Sequence, residues 1–301
     1  MNGLLRAEVK RLVSRRLARV VALVFLGILL LVQVVGAVRS RDPNAEERVD
    51  IAVARQYCED AKASGEFEPD GDCDQVYTSE DPRYNAKDLL PDAAGSVAVA
   101  AAIVGFVVGA SYVGAEWAAG TMQALLFWEP RRWRVLLAKG LALVGVMVAF
   151  TVAMEVVCFA TTLLVGATRG SNEGVSGVLG DAFSTAGRGL IVVTFTSLLG
   201  FAVAGLTRVT GAALGAAFVY FAILEQVVAG LRPGLFRYLI APNIGAVMTG
   251  GLSVPAGRGE DDFGETVEIL LSVTRGTLTL AVYLVIVLGA FYAVFSRRDV
   301  T

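Results

Sequence analysis

Long apolar runs alternate with shorter polar stretches along the chain, and that alternation predicts six membrane-spanning helices. The runs are 20–38, 93–113, 135–167, 189–206, 211–229 and 276–295. Each can cross a hydrocarbon core, which takes about 20 predominantly apolar residues. The run 135–167 is too long for a perpendicular span, so its first turns stand in the cytoplasm or the helix tilts. Ahead of the first run, Leu5, Val9, Leu12 and Val13 fall at i, i+4, i+7 and i+8. Arg6, Lys10, Arg11, Arg15 and Arg16 occupy the other faces. Residues 1–19 therefore read as an amphipathic helix in the headgroup plane of an anionic leaflet.

Between the first and second spans lies a polar insert, 39–92, rich in Asp and Glu and broken by Pro43, Pro69, Pro82 and Pro91. Residues 168–187 read as a short outer loop, and a tight turn is expected around Arg208. The apolar stretch 235–248 is too short to cross and is bracketed by Pro233 and interrupted by Pro242. Residues 231–253 therefore look re-entrant or interfacial. Ala101, Gly105 and Gly109 recur every four residues, as do Gly211 and Gly215, so both faces suit close helix contact. The expected architecture is an all-α integral membrane protein. It has an amphipathic helix (1–19), a first span (20–38), an extracytoplasmic insert (39–92) and a five-helix remainder (93–301).

Composition agrees. The 301 residues are 55% hydrophobic and 18% charged, against about 45–50% and about 25% in soluble domains. The first span could be mistaken for a signal peptide. Its apolar core is longer than such peptides carry and no clear cleavage site follows, so it is expected to be retained. Basic residues are densest at 6–19, at 131–139 and at Arg297 and Arg298, which places both termini in the cytoplasm. Arg outnumbers Lys heavily, as in a GC-rich, actinobacterial-like genome. There is no His, the three Cys fit no zinc spacing, and no phosphate-binding loop of the G-x-x-x-x-G-K-[ST] type occurs. Neither a resident metal nor a nucleic-acid partner is expected.

The most informative stretch is GAEWAAGTMQALLFWEPRRWRVLLAKG, 114–140, wedged between two spans. The order Gly-x-Glu-Trp, Gly-Thr, Leu-Leu, Pro-Arg-Arg and a later Ala-Lys resembles the loop between the second and third spans of permeases of the type-two ABC exporter family. The resemblance implies a coupling helix, 114–128, that docks on a separate ATP-hydrolysing subunit. Gly114, Glu116, Trp117, Gly120, Thr121, Leu125, Pro130 and Arg131 carry over to that role. Glu116, Gly120 and Thr121 would face the partner, while Trp117, Leu125, Leu126 and Trp128 would anchor in the interface. Ala118 and Ala119 stand where relatives are often basic. ATP and magnesium would sit in the ATPase, no cofactor in this chain, and a second permease would complete the assembly as a homodimer or heterodimer.

Two carboxylates lie inside apolar runs. Glu155 reads equally as a group on a substrate or proton pathway and as a hydrogen-bonded acid at a helix contact; for Glu225 the structural reading is favoured over a pathway role. Gln33 is expected to make a hydrogen bond at a helix contact and Cys158 to pack as an apolar residue. Cys58 and Cys73 share the outer insert with fourteen residues between them. An oxidising exterior permits a disulfide there, which would stabilise by about 3 kcal/mol. Asp70, Asp72 and Asp74 alternate like the start of a calcium loop, but Gln75 and Asp81 occupy its glycine and glutamate positions, so a solvated turn is expected.

The expected function is the membrane-spanning permease subunit of an ABC transporter in the bacterial plasma membrane. An exporter working by alternating access is the leading form, and no residue does covalent chemistry. Two alternatives remain. One is a membrane scaffold or sensor whose insert binds a ligand. The other is a secondary carrier using Glu155, which would predict inverted repeats that are not evident here.

Overall fold

The computed structural model describes residues 2–64, 82–128, 131–258 and 266–297. Helices α1 (Asn2–Ser14) and α2 (Arg16–Arg39) meet at a break on Arg15. The break follows Ser14, whose hydroxyl donates to the Arg11 carbonyl at 3.0 Å and so competes with the helical ladder. Helix α3 (Ala45–Ser64) lies in the insert where a polar loop is expected. A reciprocal cap starts it. Glu47 N–H donates to Asn44 Oδ1 at 2.8 Å, and Asn44 N–H donates to Glu47 Oε2 at 2.9 Å.

Helices α4 (Ala86–Ala118), α5 (Thr121–Trp128), α6 (Arg132–Arg169) and α7 (Val175–Thr207) follow. Helix α8 (Thr210–Val219) continues through a π-helical turn, Tyr220–Leu224, into α9 (Glu225–Leu231). A 3-10 turn, Pro233–Tyr238, leads to α10 (Ile240–Thr249), then to strands β3 (Gly251–Arg258) and β4 (Thr266–Ser272), and to α11 (Val273–Arg297). A two-residue parallel pairing joins β1 (Tyr84–Asn85) to β2 (Gly170–Ser171). Among the described residues, six helices are long and apolar enough to cross a membrane: Arg16–Arg39, Ala86–Ala118, Arg132–Arg169, Val175–Thr207, Thr210–Leu231 and Val273–Arg297. The expected class, an all-α membrane protein of six spans, is the class observed.

The boundaries differ from expectation where packing overrides local signals. Helix α4 begins at Ala86, ahead of 93, with Pro91 inside it. Helix α7 begins at Val175, so most of the expected loop 168–187 is helical. One cluster accounts for both extensions: Ala86 and Leu90 bury against Val175 and Ala182, flanked by Phe159, Leu163 and Leu179. Buried apolar area of this kind outweighs one hydrogen bond lost to proline. The turn at Arg208 is present, with φ of 61°. The segment 231–253 holds a short helix and leads into a hairpin. The strands pair antiparallel with an irregularity between Pro255 and Gly257. Ala246, Val254 and Leu271 form the hairpin's small core. The period-2 alternation there is too short to mark the strands in the sequence.

The chain forms two compact units, one of Met1–Leu23, Gly95–Ala153 and Thr185–Thr301, the other of Val24–Ala94 and Met154–Ser184. In the first, α4 and α7 touch backbone to backbone through small residues. A side chain at Gly109 would meet the Phe201 nitrogen at 3.1 Å, and one at Gly200 would meet the Phe106 carbonyl carbon at 3.0 Å. This is the contact face read from Gly105 and Gly109. Gly211 and Gly215, expected to act likewise, have nothing within 4 Å of an added Cβ. In the second unit, the Gln33 amide donates to Thr162 Oγ1 at 2.9 Å and accepts from the Tyr84 hydroxyl at 2.6 Å, the helix-contact role expected of it.

Candidate functional site

The last turns of α4, the start of α6 and the N-terminal helix α1 converge on one buried charge cluster. Lys139 Nζ donates to Glu8 Oε2 at 2.8 Å and lies 2.7 Å from Glu116 Oε2. Arg15 donates to Glu116 Oε1 at 3.0 Å and to the Ser111 carbonyl at 3.2 Å. Arg11 pairs with Glu8 at 3.2 Å and reaches Glu116 at 3.8 Å. The Tyr112 hydroxyl donates to Glu8, and its ring takes the Arg15 guanidinium and the Lys139 ammonium, each 4.9 Å from the centroid. The Lys139 side chain is 0% exposed, that of Glu8 2% and that of Glu116 5%.

Desolvation sets what this cluster can do. Taking an ion out of water costs several kcal/mol, which attraction repays only when geometry and partners are good. Here each carboxylate has cations on both oxygens. Burial alone would push the Glu8 carboxyl up. The Lys139 ammonium and its hydrogen bond, the Tyr112 hydroxyl and Arg11 outweigh that and hold it below its ordinary value of 4.5. The arrangement pins α1 to the ends of two spans. On α1, Glu8 and Leu12 are buried, while Val13 is 51% exposed.

Beyond Glu116 the chain turns outward. Ala118, Ala119, Gly120 and Thr121 are exposed. Gly120 has φ of 67°, which favours glycine, and open space around it. The Thr121 hydroxyl donates to the Glu116 carbonyl at 3.3 Å and ties α5 to the end of α4. Phe127 on α5 is 90% exposed. Behind the turn, Trp117 packs edge-on against Phe295, 6.1 Å between centroids, beneath the Arg208 guanidinium at 4.4 Å. Arg132 donates to the Phe295 carbonyl at 2.6 Å and to the Ser296 carbonyl at 3.1 Å, satisfying the end of α11.

Residues predicted for coupling thus separate. Gly120 and Thr121 lie on the exposed turn, Leu125 lies on α5, and Arg131 opens α6 by accepting from Arg134 N–H at 2.9 Å. Pro130 lies outside the described residues. Glu116, expected to face a partner, is turned inward because Lys139 and Arg15 neutralise it there. Gly114 is buried too. A Cβ on it would lie 2.7 Å from the Thr210 nitrogen, so it serves the contact with α8. The expected helix 114–128 is in fact the end of α4, a turn, and the separate α5.

Glu225 is a helix cap. Its Oε1 accepts from Ile240 N–H at 2.9 Å and Ala241 N–H at 3.0 Å, the free donors at the start of α10. This geometry is that of a hydrogen-bonded acid at a helix contact. Glu155 is buried and neither oxygen has a hydrogen-bond partner among the described residues. Cys58 is disulfide-bonded. Cys73, its expected partner, and Asp70, Asp72 and Asp74 lie outside the described residues. Cys158 is a free, buried thiol. Among the described residues no group of His, Cys, Asp and Glu could hold a metal ion.

The family model described as ABC-2 family transporter protein matches residues 5–300. The chain belongs to the ABC-2 transporter family. Comparison with curated proteins and with solved structures finds no match. The protein is the permease subunit of an ABC transporter, a multi-pass protein of the bacterial membrane whose family implies an ABC ATPase partner. Three residues of the permease's charge cluster, Glu8, Tyr112 and Lys139, escaped sequence reasoning. Signals were present: Glu8 is the lone acid among the basic residues of 2–19, and Lys139 sits in the apolar run LLAKGLALV.

Proposed function

We propose that the permease is one half of an exporter that works by alternating access, and that the exposed turn 118–121 with α5 is its contact with the ATPase. The observation that carries this reading is the Glu8–Lys139–Glu116 cluster. It fixes the root of the exposed turn, at the end of α4, both to α6 and to α1. A push on a turn with such a root moves three helices together. Loop contact alone would dissipate it. Gly120, with open space around it, permits close approach of a partner surface, and Phe127 offers an apolar anchor.

In this reading ATP and magnesium bind in the ATPase subunit, and the permease performs no covalent chemistry. Both termini and the turn are cytoplasmic, and a second permease, identical or homologous, completes the pathway. Copurification with the ATPase encoded alongside, followed by ATP hydrolysis measured in reconstituted vesicles, tests it. A stable complex whose hydrolysis responds to the permease is expected. Absence of any ATPase in the purified complex would instead favour a scaffold or sensor.

A further inference from the structure

We infer that Glu155 is the carboxylate of a binding site for hydrophobic monovalent organic cations, and that such cations are the substrate class of the permease. The substrate assignment rests on the transport reading above; the site itself does not.

Glu155 lies within α6, in the unit formed by Val24–Ala94 and Met154–Ser184. It is 6% exposed, and neither carboxylate oxygen has a partner among the described residues. Every other buried carboxylate described above is paired: Glu8 and Glu116 with Lys139, Glu225 with two backbone donors. An ionised carboxylate in apolar surroundings without a partner costs several kcal/mol. A cation arriving from outside the chain would remove that cost.

The surroundings say which cation. At 100° per residue, Glu155, Cys158 and Thr162 fall on one stripe of α6 about 60° wide and about 10 Å long. The stripe faces inward, since Cys158 and Thr162 are buried, while Val152 and Val156 on the adjoining sector are exposed. Gln33 joins the stripe through Thr162 and Cys158, and Tyr84 joins through Gln33. Helix α2, which carries Gln33, has no charged residue between Arg19 and Arg39. A hard metal ion needs about six or more oxygen ligands, and one carboxylate beside a thiol cannot supply them. One diffuse positive charge on an apolar body fits one carboxylate set among apolar and weakly polar groups.

The test uses the intact permease in lipid nanodiscs without its ATPase. Labelling by dicyclohexylcarbodiimide, which attacks carboxyls in apolar surroundings, is located by peptide mass spectrometry, with tetraphenylphosphonium as the cation. Glu155 should be labelled, and saturating tetraphenylphosphonium should slow the labelling about tenfold or more, equivalent to about 1.4 kcal/mol. Uncharged triphenylphosphine oxide should not slow it. Glu155→Gln should remove the label and weaken tetraphenylphosphonium binding by a similar factor. Because no described residue partners the carboxylate and its burial is costly, that variant should melt at or above the wild-type temperature. No labelling at Glu155, labelling that the cation leaves unchanged, or equal protection by the oxide would overturn the site. None of these results bears on whether an ATPase copurifies, so failure here and failure of the transport reading are separable.

Discussion

The Lys139 ammonium lies 2.8 Å from the Glu8 carboxylate across 131 positions of sequence, and both side chains are shut away from water. Lys139 also neutralises Glu116. Lys139→Met should therefore strand two buried carboxylates and destabilise the permease by about 3–5 kcal/mol. Arg11→Met should cost much less, because Arg11 is half exposed and water screens its pairs. Thermal unfolding in detergent, followed by loss of monodisperse protein, checks the order. Equal effects of the two substitutions would mean that the cluster is not buried as described.

The same pair sets an acid limit. The Glu8 carboxyl is held below its ordinary 4.5 in the folded protein, against an unfolded value near that figure. Its contribution is then fully present above the unfolded value and is lost as pH falls through the folded one. The melting temperature should therefore be insensitive to pH near neutrality and should drop below about pH 4. Glu8→Gln should be less stable near neutrality, yet show a shallower acid drop. Parallel acid profiles for wild type and variant would remove Glu8 as the cause.

Glu225 should prove a fold residue. Leaving the Ile240 and Ala241 donors unsatisfied costs about 1–3 kcal/mol, so Glu225→Ala should destabilise by that amount. Glu225→Gln keeps an oxygen acceptor and should cost less. Hydrogen exchange should quicken at 240–243 in the Ala variant, while tetraphenylphosphonium binding stays as in wild type. Loss of binding in the Gln variant would return Glu225 to a pathway role.

Long, unbroken apolar periodicity made the spans legible, because length and composition alone decide whether a helix can cross a membrane. Gln33 was legible too, since an isolated amide in an apolar helix must find a partner. The starts of α4 and α7 were not, because the cluster of Ala86, Leu90, Val175 and Ala182 joins segments far apart in sequence. The direction of Glu116 failed for the same reason. Its neighbours 114–121 suggest an exposed loop, but its orientation is fixed by Arg15, at the break between α1 and α2, and by Lys139, near the start of α6. Glu8 stands alone among basic residues in the sequence, and only the fold brings Lys139 and Tyr112 to it.

Within the coupling stretch, exposure separates residues that hold the bundle from residues that could meet a partner. Gly114→Leu should damage folding, because its side chain would strike the Thr210 backbone. Gly120 differs, since nothing crowds it and only its φ of 67° restricts substitution. Asn tolerates that conformation better than other residues, so Gly120→Asn should express normally and keep most coupling. Gly120→Trp should obstruct a partner surface, and Phe127→Asp should remove an apolar anchor and put a charge in its place. Phe127→Asp should leave the stability within about 0.5 kcal/mol of wild type, as surface changes do, while Gly120→Trp should cost about 1–2 kcal/mol through its backbone conformation alone. Both should reduce copurifying ATPase, or leave hydrolysis running uncoupled from transport in reconstituted vesicles. The Asn variant controls for backbone strain. If Trp and Asp variants bind the ATPase and transport like wild type, the turn and α5 are not the docking element, and the cluster behind them serves stability alone.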